Sequence, residues 1–251
     1  MMKQFFILIA ILFVTFNLKA QNDLFQQANE AYVQGDFQAA AGLYEELLKA
    51  NGESATVYYN LGNSYYKLNK IAPSILNFER ALLLEPGNKD IRFNLEIAKL
   101  KAVDRIEPVG DFFLTEWFRA IQNLLSTDAW SNFSIVCFIS LIICLFLFFF
   151  SRRIFIKKLG FFIAMGLFVG VIFGNSFAYN QKKKLTQRNA AIIFAPTTTI
   201  KGSPDNSGTD LFILHEGTKV KLRNNRMENW KEIETAGGDV GWIKSSEIEV
   251  I

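Results

Sequence analysis

The chain reads as a multi-domain protein in three parts: α-helical repeats, two transmembrane helices and a small all-β domain. Three observations predict this. Residues 21–54 match residues 55–88 at an offset of 34; two runs of 23 residues carry no charge; and residues 190–251 break into short β-type pieces separated by turns. Hydrophobic residues make up 50% of the 251 positions, and the 25 phenylalanines are unevenly placed. Phe5, Phe6, Phe13 and Phe16 lie near the start, and 12 lie between Phe133 and Phe177. The apolar excess therefore belongs to particular segments rather than to one enlarged core.

Residues 1–20 read as a signal peptide. Lys3 is followed by fifteen uncharged positions from Gln4 to Leu18, then Lys19 and Ala20. A basic start, an apolar stretch too short to span comfortably and a small residue at the cut are its anatomy. Lys19 beside the cut leaves an uncleaved anchor as the alternative. Both readings export the chain from residue 21 onward.

Residues 21–105 carry the repeat. The offset of 34 pairs Asn29 with Asn63, Tyr32 with Tyr66, Phe37 with Ile71, Tyr44 with Phe78 and Leu48 with Leu82. In the second copy Tyr58, Leu61-Gly62, Tyr65, Ile75, Phe78, Ala81 and Pro86 follow an order of large, Leu-Gly, aromatic, small and Pro. This resembles the tetratricopeptide repeat, whose period is 34. The first copy keeps Gly35-Asp36-Phe37, Ala40 and Tyr44, with Gln27-Ala28 in place of Leu-Gly. A third begins at Asn94-Leu95 and loses the pattern at Glu96, as a cap helix would. The resemblance implies that partners bind the concave side of the first helix in each pair, here Asn29, Tyr32, Tyr59, Asn63, Tyr66 and Lys67. Amides and rings on such a face suit an extended peptide. Phe25 and Tyr59 stand where carboxylate-binding members carry basic residues, so recognition of a C-terminal carboxylate is not expected.

Residues 106–128 form a linker in which Phe113, Trp117, Ile121, Leu124 and Leu125 recur at helical spacing. This strip suits a helix in the membrane interface, and packing on the preceding helical domain is the alternative. The uncharged runs 129–151 and 159–181 are each long enough to cross a bilayer. Between them, residues 152–158 hold Arg152, Arg153, Lys157 and Lys158, which places this hairpin in the cytoplasm. Lys182, Lys183 and Lys184 oppose that orientation, but an exported residue 21 and two spans return the C-terminus to the outer side. Gly166, Gly170 and Gly174 are expected to form a helix-packing stripe, with Ser140 and Cys144 on the other span as its simplest partner.

Residues 190–251 contain seven strand-like pieces, with turns at Pro204-Asp205-Asn206-Ser207-Gly208, His215-Glu216-Gly217 and Ala236-Gly237-Gly238-Asp239. The order of His-Glu-Gly-Thr, Asn-Trp and Gly-Trp-Ile resembles bacterial SH3 domains, which implies a small barrel. Trp230 and Trp242 are its candidate partner-binding residues, with packing inside the barrel as the other reading of Trp242. His215 is expected in a turn.

The inventory argues against catalysis. One histidine and two cysteines, Cys137 and Cys144, both inside an apolar run, leave no metal pair and no Cys/His or Ser/His/Asp set. Glu45 and Glu46 read better as a solvated helix face than as a carboxylate site. No enzyme activity, cofactor or metal is expected. Nucleic acid is also not expected: the formal net charge is +3, yet residues 21–110 carry 9 Lys/Arg against 12 Asp/Glu and residues 190–251 carry 7 against 9. The positive excess flanks the apolar runs instead.

Taken in full order, with Phe112-Phe113-Leu114-Thr115-Glu116-Trp117 before the first span and Asp210 to Thr218 in the last domain, the chain resembles the Bat family, the membrane proteins of the Bacteroides aerotolerance operon. The resemblance implies a tetratricopeptide-repeat and SH3 protein of the bacterial inner membrane, with both soluble domains periplasmic. It also implies von Willebrand factor A-type membrane proteins and a MoxR-type ATPase as associates, and a link to oxidative-stress tolerance. The function expected is a membrane-anchored protein–protein interaction scaffold, with peptidoglycan binding or sensing through the SH3-like domain as the alternative.

Overall fold

The computed structural model describes residues 23–106, 110, 112–224 and 227–251; the expected signal peptide lies outside the described residues. It falls into two compact units. One holds residues up to Leu82, Asn88–Val109 and Asn189–Ile251, and the other holds Leu83–Gly87 and Gly110–Arg188.

The first unit begins with antiparallel helices. Helix α1 covers residues 23–33, followed by α2 (Phe37–Asn51), α3 (Ala55–Lys67), α4 (Ile71–Leu84) and α5 (Lys89–Lys99). Gly35 turns the chain at φ +84°, a region closed to most L-residues. Asp36 then caps α2 by accepting from the Ala39 amide at 3.0 Å, and Asn88 caps α5 by accepting from the Asp90 and Ile91 amides. Small residues let the helices approach. A Cβ on Gly62 would lie 2.7 Å from the ring of Phe78, which is itself 1% exposed. Ala28, Ala40, Ala41, Tyr44, Leu47, Val57 and Leu61 close the first core.

The same unit contains seven strands: β1 (Ala190–Ile193), β2 (Thr197–Lys201), β3 (Asp210–His215), β4 (Lys219–Asn224), β5 (Trp230–Glu234), β6 (Val240–Lys244) and β7 (Ile248–Val250). All observed pairings are antiparallel, in the order β3-β2-β6-β5-β4-β1-β7. All seven strand-like pieces of the sequence are strands, but the sheet is open, with β3 and β7 at its edges. Six steps of about 4.8 Å would hold the edges of a flat sheet roughly 29 Å apart. Every strand nonetheless sends a residue into one buried cluster, from Ala191 and Ile193 through Ile200, Leu214, Val220, Leu222, Ile233 and Ile243 to Ile248. The sheet is therefore strongly curled. Its β7 edge is occupied rather than paired, because Arg80 of α4 donates to the Val250 carbonyl at 2.7 Å. A side chain from a helix covers the backbone acceptor that another strand would have taken.

The second unit holds α6 (Phe113–Gln122), α7 (Thr127–Phe150) and α8 (Ile154–Gln187). Helices α7 and α8 are long and apolar enough to cross a membrane, and they pack together as a hairpin through a three-residue turn. At 1.5 Å per residue they measure about 36 and 51 Å, against about 30 Å of bilayer hydrocarbon. α8 outruns its uncharged stretch at both ends, taking in Lys157 and Lys158 at the start and Lys182–Lys184 at the finish. The last three sit where cations favour a helix C-terminus.

Within the hairpin, the glycines expected as a packing stripe divide between contact and open space. A Cβ on Gly170 would lie 3.2 Å from Cys137 Sγ, and one on Gly174 3.1 Å from Ser134 Cβ, whereas one on Gly166 meets nothing within 4 Å. Gly160 meets the Cys144 carbonyl instead, at 3.0 Å. At 100° per residue, positions four apart drift by about 40°, so three glycines at strict fours cannot all stay on one contact line. Asn175 Nδ2 ties the seam by donating to Ser134 Oγ at 2.8 Å. Replacing Gly174 with Ile should force the helices apart at a cost of about 1–3 kcal/mol, seen as earlier heat aggregation of the detergent-solubilised protein. Gly166→Ile should leave the aggregation midpoint unchanged.

Candidate interaction surfaces

The first helices of successive pairs, α1, α3 and α5, share a face joined by a repeated hydrogen bond. Asn60 Nδ2 donates to Asn29 Oδ1 at 3.3 Å, and 34 residues on Asn94 Nδ2 donates to Asn63 Oδ1 at 2.8 Å. Asn29 Oδ1 also accepts from the Tyr44 hydroxyl at 2.6 Å, and the Tyr59 hydroxyl accepts from Asn94 at 2.9 Å. Burial pushes the Tyr44 hydroxyl up to about 12, so it remains a donor at any physiological pH. The ladder uses the Oδ1 of Asn29 and Asn63; among the described residues, neither side chain's Nδ2 has an acceptor.

Around these amides stand half-buried Tyr32, Tyr59 and Tyr66 and exposed Lys67. Burial and the neighbouring Tyr59 raise the Tyr32 hydroxyl, and the Lys101 ammonium lies 4.1 Å from the Tyr66 ring centroid. All six residues named from the sequence thus sit on α1 or α3, with Asn29 bonded to Asn60 and Tyr44, and Tyr59 and Asn63 both bonded to Asn94. The sequence reading missed Asn60 and Asn94 as partners in the ladder, although the same 34-residue offset marks them. It also missed Lys101. Glu45 accepts from the Tyr65 hydroxyl, which burial and this carboxylate push up; Glu46 is exposed.

Trp230 and Trp242 lie on the other side of the unit's β-sheet core. In the β5–β6 register Trp230 faces Lys244 and Glu232 faces Trp242, so the two rings are diagonal neighbours on one face. Ile233 and Ile243, at the alternate positions, point into the core. Trp242 is half-buried and outside the core cluster, and Lys201 of β2 lies opposite it. The alternation of the strand, with Gly241 and Ile243 inward, fixes this outcome.

The repeats and the sheet are joined by two carboxylates. Glu79 of α4, with a side chain 7% exposed, binds Lys219 of β4 at 2.6 Å and Lys99 of α5 at 3.4 Å. Burial works to raise the Glu79 carboxyl, but Lys219 and Lys99 outweigh it and hold it below the ordinary value. Asp104, after α5, accepts from the His215 amide at 2.7 Å and from Thr218 Oγ1 at 2.6 Å, and lies 2.7 Å from His215 Nδ1. Burial opposes ionisation here too, and the bonds from Thr218 and His215 more than offset it. His215, expected in a turn, closes β3. The turn after it, at Gly217 with φ +86°, approaches Ile75, Ala102 and Ile71 so closely that a Cβ there would lie 3.1 Å from Ile75 Cδ1. Ile106 completes the junction by packing on the sheet core.

Residues 25–89 match the tetratricopeptide repeat family. Comparison with curated proteins finds no match. The repeats in this part of the chain support a role in protein–protein interaction, and such repeats are typically non-catalytic interaction modules.

Glu79→Gln tests the junction. The folded-state pKa is depressed, so the contribution of Glu79 is complete above the unfolded value of about 4.3 and is lost as pH falls through the folded value. Near pH 7 the substitution should cost about 1–2 kcal/mol, at the low end for a buried charge because both lysines are partly exposed. In denaturant melts followed by circular dichroism, the gap between the two proteins should shrink below pH 4.3. A gap independent of pH would show that the charge is not what joins the parts.

Proposed function

We propose that this protein is a membrane-anchored scaffold whose repeats hold an extended segment of a partner protein on the α1, α3 and α5 face. The amide ladder carries the reading. It presents the same donor, Nδ2 of Asn29 and of Asn63, once per repeat, beside Tyr32, Tyr59 and Tyr66. An extended peptide offers carbonyls and side chains at regular intervals, which amides and rings can meet without reading a full sequence. The resemblance to the Bat family names von Willebrand factor A-type membrane proteins as the associates to test first, with oxidative-stress tolerance as the setting.

The anchor is the α7–α8 hairpin. Two spans return the chain to the side it left, and the repeats and the sheet, which flank the hairpin in sequence, belong to one compact unit. That arrangement supports both soluble parts on one side of a bacterial inner membrane. Arg152, Arg153, Lys157 and Lys158 at the hairpin turn favour the periplasm for them. The curled sheet is read as an SH3-like domain. A second reading, binding of peptidoglycan, rests on the half-exposed Trp230 and Trp242 on one sheet face, since paired rings stack on sugars.

The test is a photo-crosslinking residue placed at Lys67, which is exposed on the repeat face. It should capture a membrane protein in cells, and Asn63→Ala with Tyr66→Ala should abolish the capture while leaving the helical melting curve nearly unchanged. Full capture by the double variant would move the site off this face. Retention of the protein on purified wall material, lost on Trp230→Ala with Trp242→Ala, would favour the second reading.

A further inference from the structure

Helix α6 sorts its side chains by angle. At 100° per residue, Phe113, Trp117, Ile121, Leu114 and Phe118 fall within an arc of about 140°, and Gln122, Thr115, Arg119 and Glu116 fall in the remainder. The apolar arc is open: Phe113 is 66% exposed, Trp117 59%, Leu114 44% and Phe118 43%. A helix that shows three aromatic rings to water loses the burial that ordinarily fixes an amphipathic helix in place.

The end of α6 fixes the level at which that face sits. Gln181 of α8, 5% exposed, donates from Nε2 to the Gln122 carbonyl at 2.6 Å and to the Leu125 carbonyl at 2.8 Å. Its Oε1 accepts from Thr127 Oγ1 at 3.3 Å, and Trp130 Nε1 donates to the same Gln122 carbonyl at 2.8 Å. Carbonyls that end a helix are thereby satisfied by one side chain from each half of the hairpin. Gln181 is also the last residue of the uncharged run, and Lys182, Lys183 and Lys184 follow it. The clamp therefore stands at the height where the hairpin passes from apolar to charged, which in a bilayer is the headgroup boundary.

We infer that α6 lies in the membrane plane at that boundary, with lipid as the occupant of its aromatic face. Phe113, Trp117 and Phe118 enter the acyl-chain margin and Arg119 and Glu116 meet the headgroups, an arrangement that suits Trp at this depth. Gln181 and Trp130 are positioning residues that hold the helix at the level of the hairpin's end. The inference rests on the reading that α7 and α8 span the bilayer.

The experiment uses the full chain reconstituted in phosphatidylcholine vesicles, with and without lipids brominated near the top of the acyl chains, and compares it with Trp117→Phe. Tryptophan fluorescence should be quenched by the brominated lipid, and the difference between the two proteins, which reports Trp117 alone, should be quenched and insensitive to aqueous iodide. A Trp117 signal quenched by iodide and not by bromolipid overturns the inference, and one protected from both overturns it too, since a protein surface then covers the face. The hairpin is read separately, by protease digestion of the same vesicles. If a protected fragment spanning α7 and α8 survives while Trp117 is unquenched, only the in-plane helix fails; if no such fragment survives, the spanning reading fails with it.

Discussion

A single carboxylate on α4, Glu79, takes a lysine from its own helical stack and another from a strand 140 residues later. A buried carboxylate is costly unless its partners surround it, so Lys99 and Lys219 must both be present and the sheet must sit against the repeats. The other junction contacts follow from that placement. Asp104 gathers the amide, ring and hydroxyl of the β3–β4 turn, Gly217 lets that turn approach α4 and the segment after α5, and Arg80 closes the β7 edge. In a longer solenoid the next helix would cover the exposed side of the last pair. Here the sheet makes contacts along α4 and beyond α5, and it ends the stack.

The sheet's contacts with the repeats lie along α4 and beyond α5, away from the ladder face shared by α1, α3 and α5. The geometry of that face is set by packing, since Gly62 and Ala28 bring the helices close enough for Asn60 to reach Asn29 and Asn94 to reach Asn63. The amides of the proposed groove are positioned by a repeat that must stack. In the second unit a comparable economy holds: Gln181 ends an apolar run and satisfies the last carbonyl of α6, Gln122, and that of Leu125 beyond it with one amide.

Local patterns were legible in the sequence, and long-range ones were not. The offset of 34 located the repeats, the approach at Gly62 and four residues of the shared face, Asn29, Tyr32, Asn63 and Tyr66, because identical units need identical small and large positions. Strand-like pieces located all seven strands, since apolar residues and turns alternate along each. The junction left no such mark. Nothing in the sequence singles out Glu79, Lys99 and Lys219, and His215 reads as part of a turn, because the contacts of Glu79 with Lys219 and of Asp104 with His215 join residues more than 100 positions apart. Closure of the sheet was over-read for the same reason: the strands predict a curl, but only Arg80 from another element shows why the β7 edge stays unpaired. Of the glycine stripe, Gly170 and Gly174 meet α7 and Gly166 faces open space, as 100° per residue rotates every fourth position away.

The claim on which the account turns is that repeats and sheet form one body. Asp104 and Thr218 offer the direct test, because the Thr218 hydroxyl donates to Asp104 at 2.6 Å across 114 residues. A double-mutant cycle of Asp104→Ala and Thr218→Val, read from denaturant melts, should show a coupling of about 0.5–3 kcal/mol. Stability changes that simply add, to within about 0.3 kcal/mol, would mean that the two parts stand apart.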